Sequence, residues 1–135
     1  MVLGVGTDIM RIEQLHREYL SAEDPFAKKN FTKRELEEAG RRDNPLHYLA
    51  TRFAGKEAVY KALDWNGEHI LFRDIEIQNR ENGKPFVALS GKVKEFAMEK
   101  GITDIQISLS YDTGYAIAYA VAQNDSIRQF AQVFE

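Results

Sequence analysis

Three residues have the types and spacing to do chemistry on a charged substrate: Asp8, Glu57 and Lys61. Asp8 closes the glycine-rich run Gly4-Val5-Gly6-Thr7, and a carboxylate placed there can ligate a hard cation or cap a helix. Glu57 and Lys61 are four apart in Arg52-Phe53-Ala54-Gly55-Lys56-Glu57-Ala58-Val59-Tyr60-Lys61, so they share one face of a helix. As an exposed ion pair they contribute only about a few tenths of a kcal/mol. The small neighbours Ala54, Gly55 and Ala58 instead suit a charged site closely approached by another element. A third group, Asn82-Gly83-Lys84-Pro85 with Ser108-Leu109-Ser110-Tyr111, reads equally as a hairpin turn and a hydroxyl-rich strand end.

Other chemistries are excluded. There is no cysteine, hence no disulfide, thiolate nucleophile or cysteine zinc site. His16, His47 and His69 lack metal-ligand spacing. No dinucleotide fingerprint, Walker motif or nucleophile elbow is present.

The elements that must position these residues follow from punctuation and periodicity. Val2 to Thr7 reads as a strand, with Gly4 and Gly6 marking close approach of another backbone. Ile9, Ile12, Leu15 and Tyr19 have the spacing of an amphipathic helix. Pro25 suits the first turn of a short helix. Thr32 and Glu35 form a capping box, starting a helix that Gly40 ends. Asn44-Pro45 starts a long helix running to Leu63, ahead of the turn Asp64-Trp65-Asn66-Gly67. Ile75 and Ile77 alternate with polar residues as a strand, and Phe86, Val87 and Leu89 resume one after the Asn82-Gly83 turn. Gly91 to Lys100 reads as a helix stopped by Gly101. Ile105 to Leu109 and Tyr115 to Val121 read as a hairpin turned at Asp112-Thr113-Gly114. Its alanines predict a closely packed layer, the long helix. The expected fold is α+β: early helices, an antiparallel sheet packed on the long helix, and the first strand free to join it.

The 135 residues fit one domain, 1–135. Net charge is −3, which argues against nucleic acid. No secretory leader and no run of about 20 apolar residues is present, so the expected setting is the cytoplasm without a membrane span. Charge is uneven, however. Residues 28–42 hold six bases (Lys28, Lys29, Lys33, Arg34, Arg41, Arg42) against three acids (Glu35, Glu37, Glu38). This is either a solvated face or a docking patch for an acidic partner.

Taken in order, the strings Gly4-Val5-Gly6-Thr7-Asp8-Ile9, Phe31-Thr32 with Glu35, Arg52-Phe53-Ala54-Gly55-Lys56-Glu57-Ala58 with Lys61-Ala62, Asp74-Ile75-Glu76-Ile77, Gly83-Lys84-Pro85 and Ser108-Leu109-Ser110 before Tyr115-Ala116 resemble one family. It is the acyl-carrier-protein-synthase type of phosphopantetheinyl transferase. The resemblance implies transfer of 4′-phosphopantetheine from coenzyme A to a serine of an acyl carrier protein. It implies Mg2+ held by Asp8 and Glu57, with Glu57 as base and Lys61 beside the leaving phosphate. Arg52, Gly83, Lys84, Pro85, Ser110 and Tyr111 match positions near the coenzyme. Arg17, Phe26, Lys28, Lys29 and Arg34 lie where the carrier docks. A homotrimer with active sites between subunits is implied as well.

The chain departs from the family pattern in three places: Tyr111 stands where a histidine is usual, Gln14 where an arginine is common, and the four residues Asp64-Trp65-Asn66-Gly67 replace a glycine-rich turn. Two other readings are a carrier-binding module without catalysis and a different magnesium-dependent nucleotide enzyme.

Overall fold

In the computed structural model, which describes residues 1–65, 67 and 69–125, two antiparallel sheets and one long helix frame the molecule. Strands β1 (Val2–Arg11), β4 (Asp104–Tyr111) and β5 (Tyr115–Gln123) form a sheet in the order β1-β5-β4. Strands β2 (Ile75–Asn79) and β3 (Pro85–Leu89) form a separate hairpin. The single expected sheet is therefore two. The helices are α1 (Pro25–Asn30), α2 (Lys33–Gly40), α3 (Pro45–Leu63) and α4 (Gly91–Glu99).

Helix α3 lies across the inner face of the three-stranded sheet. Ala116, Ala118, Ala120 and Ala122 of β5 are all fully buried, and these short side chains let the helix sit close. The approach is tightest at β1. A Cβ on Gly4 would fall 1.9 Å from the Ala62 carbonyl oxygen, and one on Gly6 the same distance from that of Ala58. Backbone touches backbone, as the two glycines predict. Gly6→Ala is accordingly expected to cost about 3 kcal/mol or more, since only a shift of the whole helix could make room. A urea unfolding midpoint near that of the unaltered chain would count against this contact.

The expected helix after residue 8 does not form. β1 continues to Arg11, paired with Tyr115 of β5, and two 3₁₀ turns follow, Ile12–Gln14 and Arg17–Leu20. Ile12 and Leu15 do become buried, but a three-residue step suits a 3₁₀ turn as well as an α-helix. The long ladder with β5 decides the outcome for residues 8–11. Asp8 is consequently a mid-strand residue and caps no helix.

Elsewhere the punctuation holds. Asp24 caps α1 through the Ala27 N–H, with Pro25 at the first helical position. Thr32 and Glu35 form the capping box of α2. Asn44 precedes Pro45 at the start of α3, although its side chain makes no cap bond. At the far end Asp64 adopts φ 53°, a left-handed stop, and Lys100 donates to the Leu63 carbonyl at 2.8 Å. Trp65 packs edge-on against Phe96 at 4.6 Å. Asn66, the third residue of that turn, lies outside the described residues. Gly83 takes φ 87° in the β2–β3 turn, which favours glycine.

Candidate active site

The packing of β1 on α3 sets the site. Two strand residues advance roughly 6.6 Å and four helical residues about 6 Å. Gly4 at Ala62 and Gly6 at Ala58 are thus two steps of one register, and the third brings Asp8 to the helical turn that carries Glu57. Strand alternation turns Asp8 to the same side as Gly4 and Gly6. Lys61 reaches over from the helix. Its Nζ donates to the Thr7 carbonyl at 2.9 Å and stands 3.4 Å from Asp8 Oδ1. The intrahelical ion pair, one of the two readings of this spacing, does not form: Lys61 turns to β1, and the Glu57 carboxylate accepts no hydrogen bond among the described residues.

The electrostatics describe a pair of carboxylates short of positive charge. Partial burial raises the Asp8 pKa, offset by the Lys61 hydrogen bond and charge. Partial burial also raises that of Glu57, and the negative charge of Asp8 raises it further, with Lys61 opposing. A hard divalent cation suits such a pair. Magnesium commonly takes one or two carboxylates and fills its octahedron with water and substrate phosphates. No group of three or more possible ligands gathers among the described residues.

A second cluster occupies the opposite edge of the sheet. A cavity of about 450 Å³ is lined by Tyr48, Arg52, Asn79, Gly83, Pro85 and Tyr111, among others. The Arg52 guanidinium lies 4.1 Å over the Tyr48 ring and donates from Nη2 to Asn79 Oδ1 at 2.9 Å. Its Nε is buried with no hydrogen-bond partner among the described residues. A buried unsatisfied donor costs about 1–3 kcal/mol, so an incoming anion would relieve it. Arg42 stacks on the other aspect of this region, 4.8 Å from the same Tyr48 ring. Tyr111, standing where the family usually has histidine, contacts His47 at 5.6 Å between ring centres.

The remaining sequence candidates are dispersed. Lys84 lines an adjoining groove between β3 and β4 rather than the Arg52 cavity, with Pro85 shared by both. Ser110 lies between Leu109 and Tyr111 on β4, so alternation turns it away from that cavity to the exposed face of the sheet. Phe26 is half-buried, stacked on Tyr19 at 4.2 Å and 5.8 Å from Phe53. Phe72 joins Phe53 at 5.7 Å and Tyr60 at 5.9 Å. Phe53 and Tyr60 precede and follow Glu57 by about one turn, so an aromatic row links α1 to the Glu57 face. Lys28 and Lys29 close α1, Arg34 lies in the first turn of α2, and Arg17 is exposed on the second 3₁₀ turn.

One ion pair escapes sequence reasoning. Lys56 is fully buried, 2.8 Å from Glu35, and also donates to the carbonyls of Phe72 and Ile75. Glu35 additionally accepts from the Ile77 N–H. Glu35 is visible in the sequence only as half of the capping box, and nothing in the spacing links it to Lys56. Burial pushes the Lys56 pKa down, while Glu35 pulls it back up. Lys56→Met is expected to destabilise the fold by about 3–5 kcal/mol, because Glu35 is left as a buried lone charge. Adding Glu35→Gln should recover part of that loss. Urea unfolding of the single and double variants checks it, and equal stability of the two would reject the pairing as the cause.

The comparisons with known proteins give the class of this fold, a transferase of phosphopantetheine arms. A family model described as the 4′-phosphopantetheinyl transferase superfamily matches residues 4–120, and the chain belongs to that family. Within it, the chain is 40% identical over 122 residues to a holo-acyl-carrier-protein synthase of Caldanaerobacter subterraneus, covering 90% of this chain and 95% of that one. Among solved structures it is similar to the holo-acyl-carrier-protein synthase of Neisseria meningitidis, with TM-score 0.80, 32% identity and coverage of 92% and 100%. It is also similar to that of Helicobacter pylori in complex with coenzyme A, with TM-score 0.73, 28% identity and coverage of 88% and 99%.

Proposed function

We propose that this chain transfers 4′-phosphopantetheine from coenzyme A to a serine hydroxyl of an apo-acyl carrier protein and releases adenosine 3′,5′-bisphosphate. The observation that carries the reading is the convergence of Asp8, Glu57 and Lys61 from two elements packed backbone to backbone. Asp8 and Glu57 would hold Mg2+, which when bound neutralises and orients the diphosphate of coenzyme A.

Glu57 takes the proton of the carrier serine, directly or through a water. The serine oxygen forms a bond to the pantetheine-bearing phosphorus, and the phosphorus–oxygen bond to the nucleotide phosphate breaks. Lys61 offsets the charge gathering on that leaving group. The unpartnered Arg52 Nε, with Tyr48 and Tyr111, receives the nucleotide end.

The two clusters stand on opposite edges of one sheet, β1 and β4, with β5 between them. In a homotrimer, the acidic cluster of one subunit would be joined to the Arg52 cavity of a neighbour. The outer sheet face supports association, since Val5, Ile9, Ile117 and Tyr119 are each about half exposed, at 55%, 61%, 45% and 51%. Among the described residues no helix is long and apolar enough to cross a membrane. Coenzyme A as substrate is in keeping with a cytoplasmic setting.

The deciding experiment is mass spectrometry of an apo-carrier incubated with coenzyme A, magnesium and the protein. A gain of one phosphopantetheine mass on the serine is expected. Carrier binding without any mass gain would establish the non-catalytic module instead.

A further inference from the structure

Between α1, α2 and the 3₁₀ turn Phe72–Asp74 lies a surface notch of about 410 Å³. Its floor is apolar, with Phe31 and Leu36 buried beneath it and Ala22 exposed at one side. Its rim carries three cations, Lys28, Lys33 and Arg73. Lys28 is loosely paired with Glu23 at 3.8 Å, while Lys33 and Arg73 have no ion-pair partner among the described residues. The one acid on the rim, Asp74, is engaged by the Ser90 hydroxyl.

We infer that this notch is a second contact for the carrier protein, receiving an apolar side chain of an acidic helix whose flanking carboxylates meet Lys33 and Arg73. The inference rests on the proposed carrier-modifying function. An apolar floor flanked by two cations without ion-pair partners among the described residues, Lys33 and Arg73, is complementary to an apolar residue flanked by acids one helical turn away. A wholly charged peptide would leave the floor unused, and a neutral apolar one would leave the cations unmet. The place of the notch gives it a purpose. Arg73 follows Phe72, which packs on Phe53 and Tyr60, one turn on either side of Glu57. A helix seated there lies beside the face that carries the base, so the notch adds to the affinity for the carrier. The patch read from residues 28–42 does not contain Arg73, which reaches the same surface only through the fold.

The test uses Arg73→Glu, Ala22→Trp and, as reference, Lys29→Glu in the full chain. Ala22 is exposed, so tryptophan there fills the notch without disturbing the core. Two quantities are read for each: KM for apo-carrier against KM for coenzyme A, and the Kd for fluorescently labelled apo-carrier at low and high salt. Arg73→Glu and Ala22→Trp should each raise both carrier constants about tenfold, with coenzyme A KM, kcat and Tm unchanged. Arg73→Glu should also flatten the salt dependence. Carrier constants within twofold for both variants, while Lys29→Glu raises them, would overturn the notch and leave the docking patch standing. Parallel changes in coenzyme A KM or a lower Tm would assign Arg73 a structural role and overturn it equally. If the unaltered chain neither binds nor modifies a carrier, the functional reading fails and the notch falls with it.

Discussion

Replacing Glu57 by glutamine should lower phosphopantetheine transfer by about a thousandfold while leaving the fold at least as stable as before. The first half follows from chemistry: the amide cannot accept the serine proton and is a poor partner for a hard cation. The second half follows from the direction of the pKa shifts. Burial and the Asp8 charge raise the Glu57 pKa, so the folded state holds that proton more tightly than the unfolded state does. Stability falls as pH climbs from the ordinary carboxylate value through the raised one, and above it the cost persists. A neutral amide removes that cost at pH 7, so Tm should hold or rise. Added magnesium should raise the Tm of the unaltered chain and not that of Glu57→Gln, since only a bound cation stabilises by mass action. The same shift moves the acid limb of kcat/KM to a higher pH than an ordinary glutamate would give, with activity lost as pH drops through it. A Glu57→Gln variant that retains a tenth or more of normal turnover would sink the base assignment.

The second large effect is recovery rather than loss. Asp8→Asn and Arg52→Met should each be inactive alone, since one lacks a cation ligand and the other the buried guanidinium. Methionine keeps much of the arginine stem's packing on Tyr48. If each reaction centre draws Asp8 from one subunit and Arg52 from the next, mixing the two variants creates centres with both intact. Random equal assembly into closed trimers restores about a quarter of wild-type sites. Co-refolding followed by the transfer assay measures this directly. Recovery near zero in hybrids verified by native mass spectrometry would mean both clusters serve one subunit. The clusters are two strands apart, about 10 Å before any tilt.

How much of this was legible beforehand differs by kind of signal. Caps and turns acting within four residues read correctly: Pro25, the Thr32–Glu35 box and the Asn82-Gly83 turn all stand where the sequence puts them. The Gly4–Gly6 pair announced a backbone contact, and the β5 alanines announced its neighbour. The segment after Asp8 misled, because spacings of three and four do not separate an α-helix from a strand followed by 3₁₀ turns. Only pairing with Tyr115 and its neighbours, a hundred residues away, settles it. The division into two sheets was hidden for the same reason, since hydrogen-bond partners between distant strands leave no local mark. In the site, Asp8, Glu57 and Lys61 were nameable, but not the turn of Lys61 to Thr7. Tyr48 could have been found, because it stands four residues before Arg52 on the same helical face. Lys56 could not, as a lysine at zero exposure contradicts every compositional expectation.

The glycine seam between the first strand and the long helix has a consequence for engineering. Where side chains separate two elements, trimming a methyl group can let them settle closer or drift apart. Here main-chain atoms already abut at Gly4 and Gly6, so no side-chain repacking can narrow the gap. The bite of the acidic pair is thereby set by rigid scaffolding. Retuning it for calcium, whose oxygens sit at about 2.3–2.6 Å against magnesium's 2.0–2.1 Å, would demand relocating an entire helix. If the acidic pair holds Mg2+ as proposed, selectivity for the smaller ion is a property of the main chain.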